Sequence, residues 1–115
     1  MSPTTIHLHE AERVLEITWD DGRVSRYSLT FLRGWCPCAV CQGHLGGVTN
    51  FIEKEDPMIV NIEPVGGYAM RPIWNDGHRT GIFSFDYLLS LEKGPPAPGP
   101  RNEDLLAEAA LPTRH

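Results

Sequence analysis

Cys36-Pro37-Cys38-Ala39-Val40-Cys41 packs three thiols into six residues, and the sequence holds no other cysteine. No regular element can turn all three side chains inward, so the run is a poor core pattern. A redox C-x-x-C opens a helix after a strand in a βαβ pattern, and no such pattern is legible here. A shared metal ion explains the clustering best. The Cys38–Cys41 spacing makes a knuckle that aims two sulfurs at one point and offers them backbone N–H groups. Cys36 adds a third sulfur, and Pro37 stiffens its approach.

A closed tetrahedral site needs a fourth ligand, and Cys3His is a standard structural set for Zn²⁺. Two histidines qualify on spacing. His44 is local, giving C-x-C-x-x-C-x-x-H. His78 is distant but follows the tight-turn signal Asn75-Asp76-Gly77, and a metal held from there would close a long loop. Spacing does not choose between them. Mixed thiolate and imidazole ligation suits both Zn²⁺ and some iron–sulfur centres. Four ligands fit a mononuclear ion more simply than a cluster, so Zn²⁺ leads and iron is the alternative.

The chain has 115 residues, enough for one small domain whose modest core would benefit from a metal. Val14–Trp19 is rich in β-formers, Asp20-Asp21-Gly22 signals a turn, and Arg23–Tyr27 alternates, which predicts a hairpin. Ile6–His9 reads as a further short strand. Ser28 is a candidate N-cap for a helical turn over Leu29–Arg33, leading into the cysteines. Residues 43–57, with Gly43, Gly46, Gly47 and Pro57, read as loop. Met58–Val65 and Tyr68–Trp74 read as partner strands around Gly66-Gly67, with Pro72 marking an edge or irregularity. His78–Phe83 reads as another strand, and Ser84 caps a helix over Phe85–Leu91. The fold class expected is α+β: a small, mostly antiparallel β domain with short helices, pinned by a Cys3His metal site. Residues 1–93 form this domain. Residues 94–115 begin with Gly94-Pro95-Pro96-Ala97-Pro98-Gly99-Pro100 and are expected to be a flexible proline-rich tail, with a short peripheral helix over 102–111.

Several functions find no support in the sequence. The net charge is −5 with positive residues scattered, including Arg13, Arg23, Arg26, Arg33 and Arg71, so no nucleic-acid stripe is visible. No apolar run approaches a membrane span. There is no signal-peptide pattern, and the odd cysteine count argues against a disulfide framework, so a cytoplasmic protein is expected. Neither a G-x-S-x-G elbow nor a dinucleotide fingerprint occurs, and no nucleophile–base pair is legible. Asp20, Asp21 and Asp76 read as turn carboxylates. His7 and His9 read as solvated side chains on one strand face. The tryptophans, with Phe83, Phe85 and Tyr87, read as core and rim.

The segments Leu32–Cys41, Gly67-Tyr68-Ala69, Trp74–His78 and Gly81–Leu88 together resemble the small DUF971 domain, which is similar to the N-terminal domain of γ-butyrobetaine hydroxylase. The resemblance spans roughly residues 5–92. In hydroxylase relatives the domain binds a structural zinc through three cysteines and a histidine, which implies Cys36, Cys38, Cys41 and His78 as ligands here. The hydroxylase chemistry belongs to a separate Fe(II) oxygenase domain, and this chain has no H-x-D or H-x-E motif for it. Similar domains are fused to Mrp-type P-loop ATPases linked to Fe–S assembly, but no G-x-x-x-x-G-K-[ST] loop occurs here. The expectation is therefore a non-catalytic zinc-binding interaction or accessory module. Its protein partner is unidentified, with Fe–S assembly machinery or an oxygenase as candidates. The alternative is an iron or Fe–S cluster assembly or electron-transfer accessory protein.

Overall fold

A computed structural model describes residues 1–42, 48 and 50–109. The candidate ligand His44, with Gly43, Gly46 and Gly47, lies outside the described residues, as do the last residues of the expected C-terminal helix. The described residues form two three-stranded antiparallel sheets and short helices.

The first sheet has the order β1-β2-β3, with β1 at Pro3–His9, β2 at Val14–Trp19 and β3 at Val24–Ser28. Gly22, at φ +89°, turns β2 into β3 in a backbone region that L side chains avoid. The pleat sends Leu15, Ile17, Trp19, Ser25 and Tyr27 inward. Ser25 is the polar exception, and its hydroxyl is used twice. It accepts from Trp19 Nε1 at 2.8 Å and donates to Glu92 at 2.5 Å.

Ser28 closes β3 and caps α1, Leu29–Gly34, accepting from the Phe31 N–H. Phe31 and Leu32 on α1 are fully buried, worth about 1.5–3 kcal/mol each against exposure. Buried Trp35 ends α1, and its carbonyl accepts from Tyr87 Oη at 2.6 Å. The chain passes through Cys36 and Cys38 into α2, Ala39–Gln42.

The second sheet has the order β4-β5-β6, with β4 at Ile59–Val65, β5 at Ala69–Trp74 and β6 at Phe83–Ser84. The expected strand over 78–83 is thus corrected: only its last residue, with Ser84, joins the ladder, against Met70 and Ala69. Pro72 lies on the middle strand, but beyond the reach of β6, so its missing N–H disturbs little. Ser84 caps α3, Phe85–Lys93, through the Tyr87 N–H. The helix lies against the first sheet, where Tyr27 Oη donates to the Leu88 carbonyl at 2.7 Å. Residues of both sheets and of α1 and α3 share one buried cluster.

Residues 94–101 run along this body. Trp35 Nε1 donates to the Pro100 carbonyl at 3.3 Å, and Ala97 packs on the core. The segment leads into α4, Asn102–Ala109. The Asn102 amide meets the outer edge of β3, accepting from Ser28 N at 2.9 Å and donating to Arg26 O at 2.8 Å.

Candidate metal centre

Four side chains from two distant stretches converge. The Sγ atoms of Cys36 and Cys38 each lie 3.3 Å from His78 Nε2, and that of Cys41 lies 3.6 Å away. All four donor atoms fall within 4.8 Å of one another. A tetrahedral Zn²⁺ with Zn–S near 2.3 Å and Zn–N near 2.0–2.1 Å sets neighbouring donors roughly 3.5–3.8 Å apart. The sulfur–nitrogen spacings fit that shell closely, and a donor set of three thiols and one imidazole suits a soft or borderline divalent ion.

Each ligand is placed by local structure. Cys36 is fully buried behind α1, with Gly81 pressed against its sulfur. Cys38 opens α2, its carbonyl accepting from the N–H groups of Cys41 and Gln42 at 3.2 and 3.0 Å. That single helical turn brings Cys41 round to the same side. Gln42 staples the knuckle: its side-chain amide donates to Cys36 O and Asn50 O and accepts from Asn50 N, all within 2.9 Å. His78 follows the turn at Gly77, whose φ is +84°. The Asp76 carboxylate accepts from His78 N at 3.0 Å, and Trp74 N donates to His78 O at 3.0 Å.

The electrostatics distinguish the three sulfurs. Burial pushes the Cys36 thiol well above its ordinary value, although the Cys38 N–H favours its thiolate. Burial acts on Cys38 in the same sense. Donation from Thr80, from the Cys41 N–H and from the neighbouring thiols outweighs it, and Cys38 falls below the usual thiol range. Cys41 is raised by burial and by its bond to Cys38, against the pull of Arg33. Burial, then the nearby Arg33 charge, lowers His78 and keeps its imidazole neutral, the form a metal requires. Of the three sulfurs, Cys38 is the one whose surroundings favour the thiolate.

Arg33 was legible in the sequence only as one of several scattered charges. It is 4% exposed, Nη1 reaches Cys41 Sγ at 3.6 Å, and Nη2 reaches Asp76 Oδ2 at 3.2 Å. Asp76, read from the sequence as a turn carboxylate, serves both as the turn acceptor and as the Arg33 partner. Burial opposes its charge, but the His78 N–H and Arg33 hold it below the usual carboxylate range. Cys41 and His78 are only part-buried and face a shallow concavity with Ile52 and Lys54, whereas Cys36 and Cys38 lie inside. His9 engages Glu12 and Glu16 and stacks on His7 with ring centroids 4.3 Å apart, and neither joins a metal-ligating group among the described residues. No helix among the described residues is long and apolar enough to cross a membrane.

Comparisons with known proteins identify a family and similar folds. Residues 6–89 match the family model described as gamma-butyrobetaine hydroxylase-like, N-terminal. A protein of unknown function of the DUF971 family from Acidithiobacillus ferrooxidans has a similar crystal structure. The identity is 37% and the TM-score 0.65, over 79% of this chain and 92% of that one. Two solution NMR structures also match with a TM-score of 0.65. One is 34% identical over 78% of this chain and 67% of its own, the other 31% over 94% and 80%. No curated protein matches.

Proposed function

The chain belongs to the gamma-butyrobetaine hydroxylase-like N-terminal family, also called DUF971, and from that premise we propose that it is a non-catalytic, zinc-pinned interaction module. The observation that carries this reading is the approach of three sulfurs to His78 Nε2 within 3.6 Å. Cys36, Cys38, Cys41 and His78 would hold the ion. Four protein donors complete a tetrahedron and leave no position for a substrate, which is the mark of a structural rather than a hydrolytic site. Such an ion supplies folding free energy and lends the domain a fixed surface for a protein partner. Ligation by thiolates suits a reducing compartment such as the cytoplasm.

Elemental analysis of anaerobically purified protein tests the metal. A colourless protein with a single zinc per chain is expected. Stoichiometric iron with visible thiolate absorbance would replace zinc by iron in the reading. Cys38→Ser tests the role, and loss of metal together with a lowered Tm is expected. A variant that lost the metal but kept its full thermal stability would remove the structural role.

A further inference from the structure

We propose that Arg33 is the positioning residue of the metal centre. Its guanidinium ties the Cys41 sulfur to the turn that carries His78 and supplies the positive charge that a three-thiolate site calls for. The inference rests on the metal-binding reading above.

Arginine is seldom so deeply buried unless it is paired, and here the pairing is sparse. Arg33 Nε is buried without a hydrogen-bond partner among the described residues. The contacts recorded for the guanidinium, Cys41 Sγ and Asp76 Oδ2, both lie at the metal end. A guanidinium is costly to desolvate, and a packed apolar side chain of the same length would avoid that cost. Its presence points to a charge it must answer. A divalent ion with three thiolates and a neutral imidazole carries one surplus negative charge, and Arg33 sits against the sulfur of Cys41, the least buried of the three cysteines.

The contacts also form a chain. Arg33 holds Asp76 through Oδ2, and Asp76 Oδ1 accepts from the backbone N–H of His78. Cys41 and His78 are 37 residues apart, yet one side chain and one carboxylate link them directly. The planar fork of arginine can span both partners at once. A lysine could keep the charge but hold only one partner at a time.

The test uses the full chain, with Zn²⁺ measured by competition against a chromophoric chelator at fixed pH and Co²⁺ as a spectroscopic probe. Arg33→Gln is expected to weaken Zn²⁺ binding about 10–100-fold and to shift the sulfur-to-cobalt charge-transfer band, because Cys41 loses a charged donor. Arg33→Lys should recover part of the affinity. Asp76→Asn, altering a residue 38% exposed, should give a smaller loss in the same direction. Wild-type affinity and an unmoved band in these variants overturn the proposal, as does lost affinity with an unmoved band, which is what general destabilisation would give. If Arg33→Gln does not fold, Arg33→Lys and Asp76→Asn decide by the same criteria. Wild-type protein that takes up neither ion sinks the metal-binding reading and this inference together, whereas tight wild-type binding with unchanged variants sinks this inference alone.

Discussion

Gly81 lies so close to the Cys36 sulfur that a Cβ there would stand 2.5 Å from Sγ and 3.4 Å from the Phe83 ring. Neither neighbour can give way easily, because Cys36 and Phe83 are both fully buried. Gly81→Ala should therefore push a ligand out of register. We expect a loss of about 1–3 kcal/mol in stability and weaker zinc retention against a chelator, read by thermal melting and competition on the same sample. Unchanged values in both would show that the sulfur has room to move. The residue scale is also where the sequence was least explicit. Spacing left His44 and His78 level, and family resemblance favoured His78, which lies beside the sulfurs, while His44 falls outside the described residues. Nothing in the pattern marks Arg33, because a basic residue in the last turn of a short helix is ordinary chemistry for a helix C-terminus. Its partner Asp76 lies on a turn 43 residues further along the chain.

Among the elements, α4 is seated on β3 through the Asn102 side chain, while Leu105 packs against the core. The Asn102 amide presents one acceptor and one donor to Ser28 N and Arg26 O, much as a peptide group of an added strand would. Asn102→Ala should cost about 1–2 kcal/mol through the two lost bonds and should speed proteolysis between residues 94 and 109. Cleavage at the wild-type rate would mean that the other contacts, Trp35 with Pro100 and Ala97 and Leu105 with the core, hold the segment without it. Most elements could be read in advance because each has a local cause. Gly22 and Gly77 turn the chain at positive φ, and Ser28 and Ser84 each cap a helix. The strand expected over 78–83 failed for a non-local reason. His78 must face the sulfurs and Gly81 must lie against Cys36, so the backbone leaves the ladder until Phe83. β-propensity in Ile82 and Phe83 could not register that demand, since it comes from residues forty positions upstream.

At the level of the whole molecule, the four candidate ligands link the end of the first sheet unit to the far turn of the second. Closing a loop from Cys36 to His78, 42 residues apart, constrains the unfolded chain more than a local knuckle would. Chelation should therefore not loosen the protein evenly. Hydrogen exchange is expected to rise first around residues 75–82 and 36–42, while β1, β2 and β3, anchored by Trp19 and Tyr27, retain protection. A uniform rise across both sheets would assign the metal no particular place in holding them together. The same separation has a consequence during synthesis. The sulfurs leave the ribosome first, and at about 5–20 residues per second the imidazole follows several seconds later. For that interval the nascent polypeptide offers a half-made cage, and delivery of the ion becomes a matter of timing as much as of affinity.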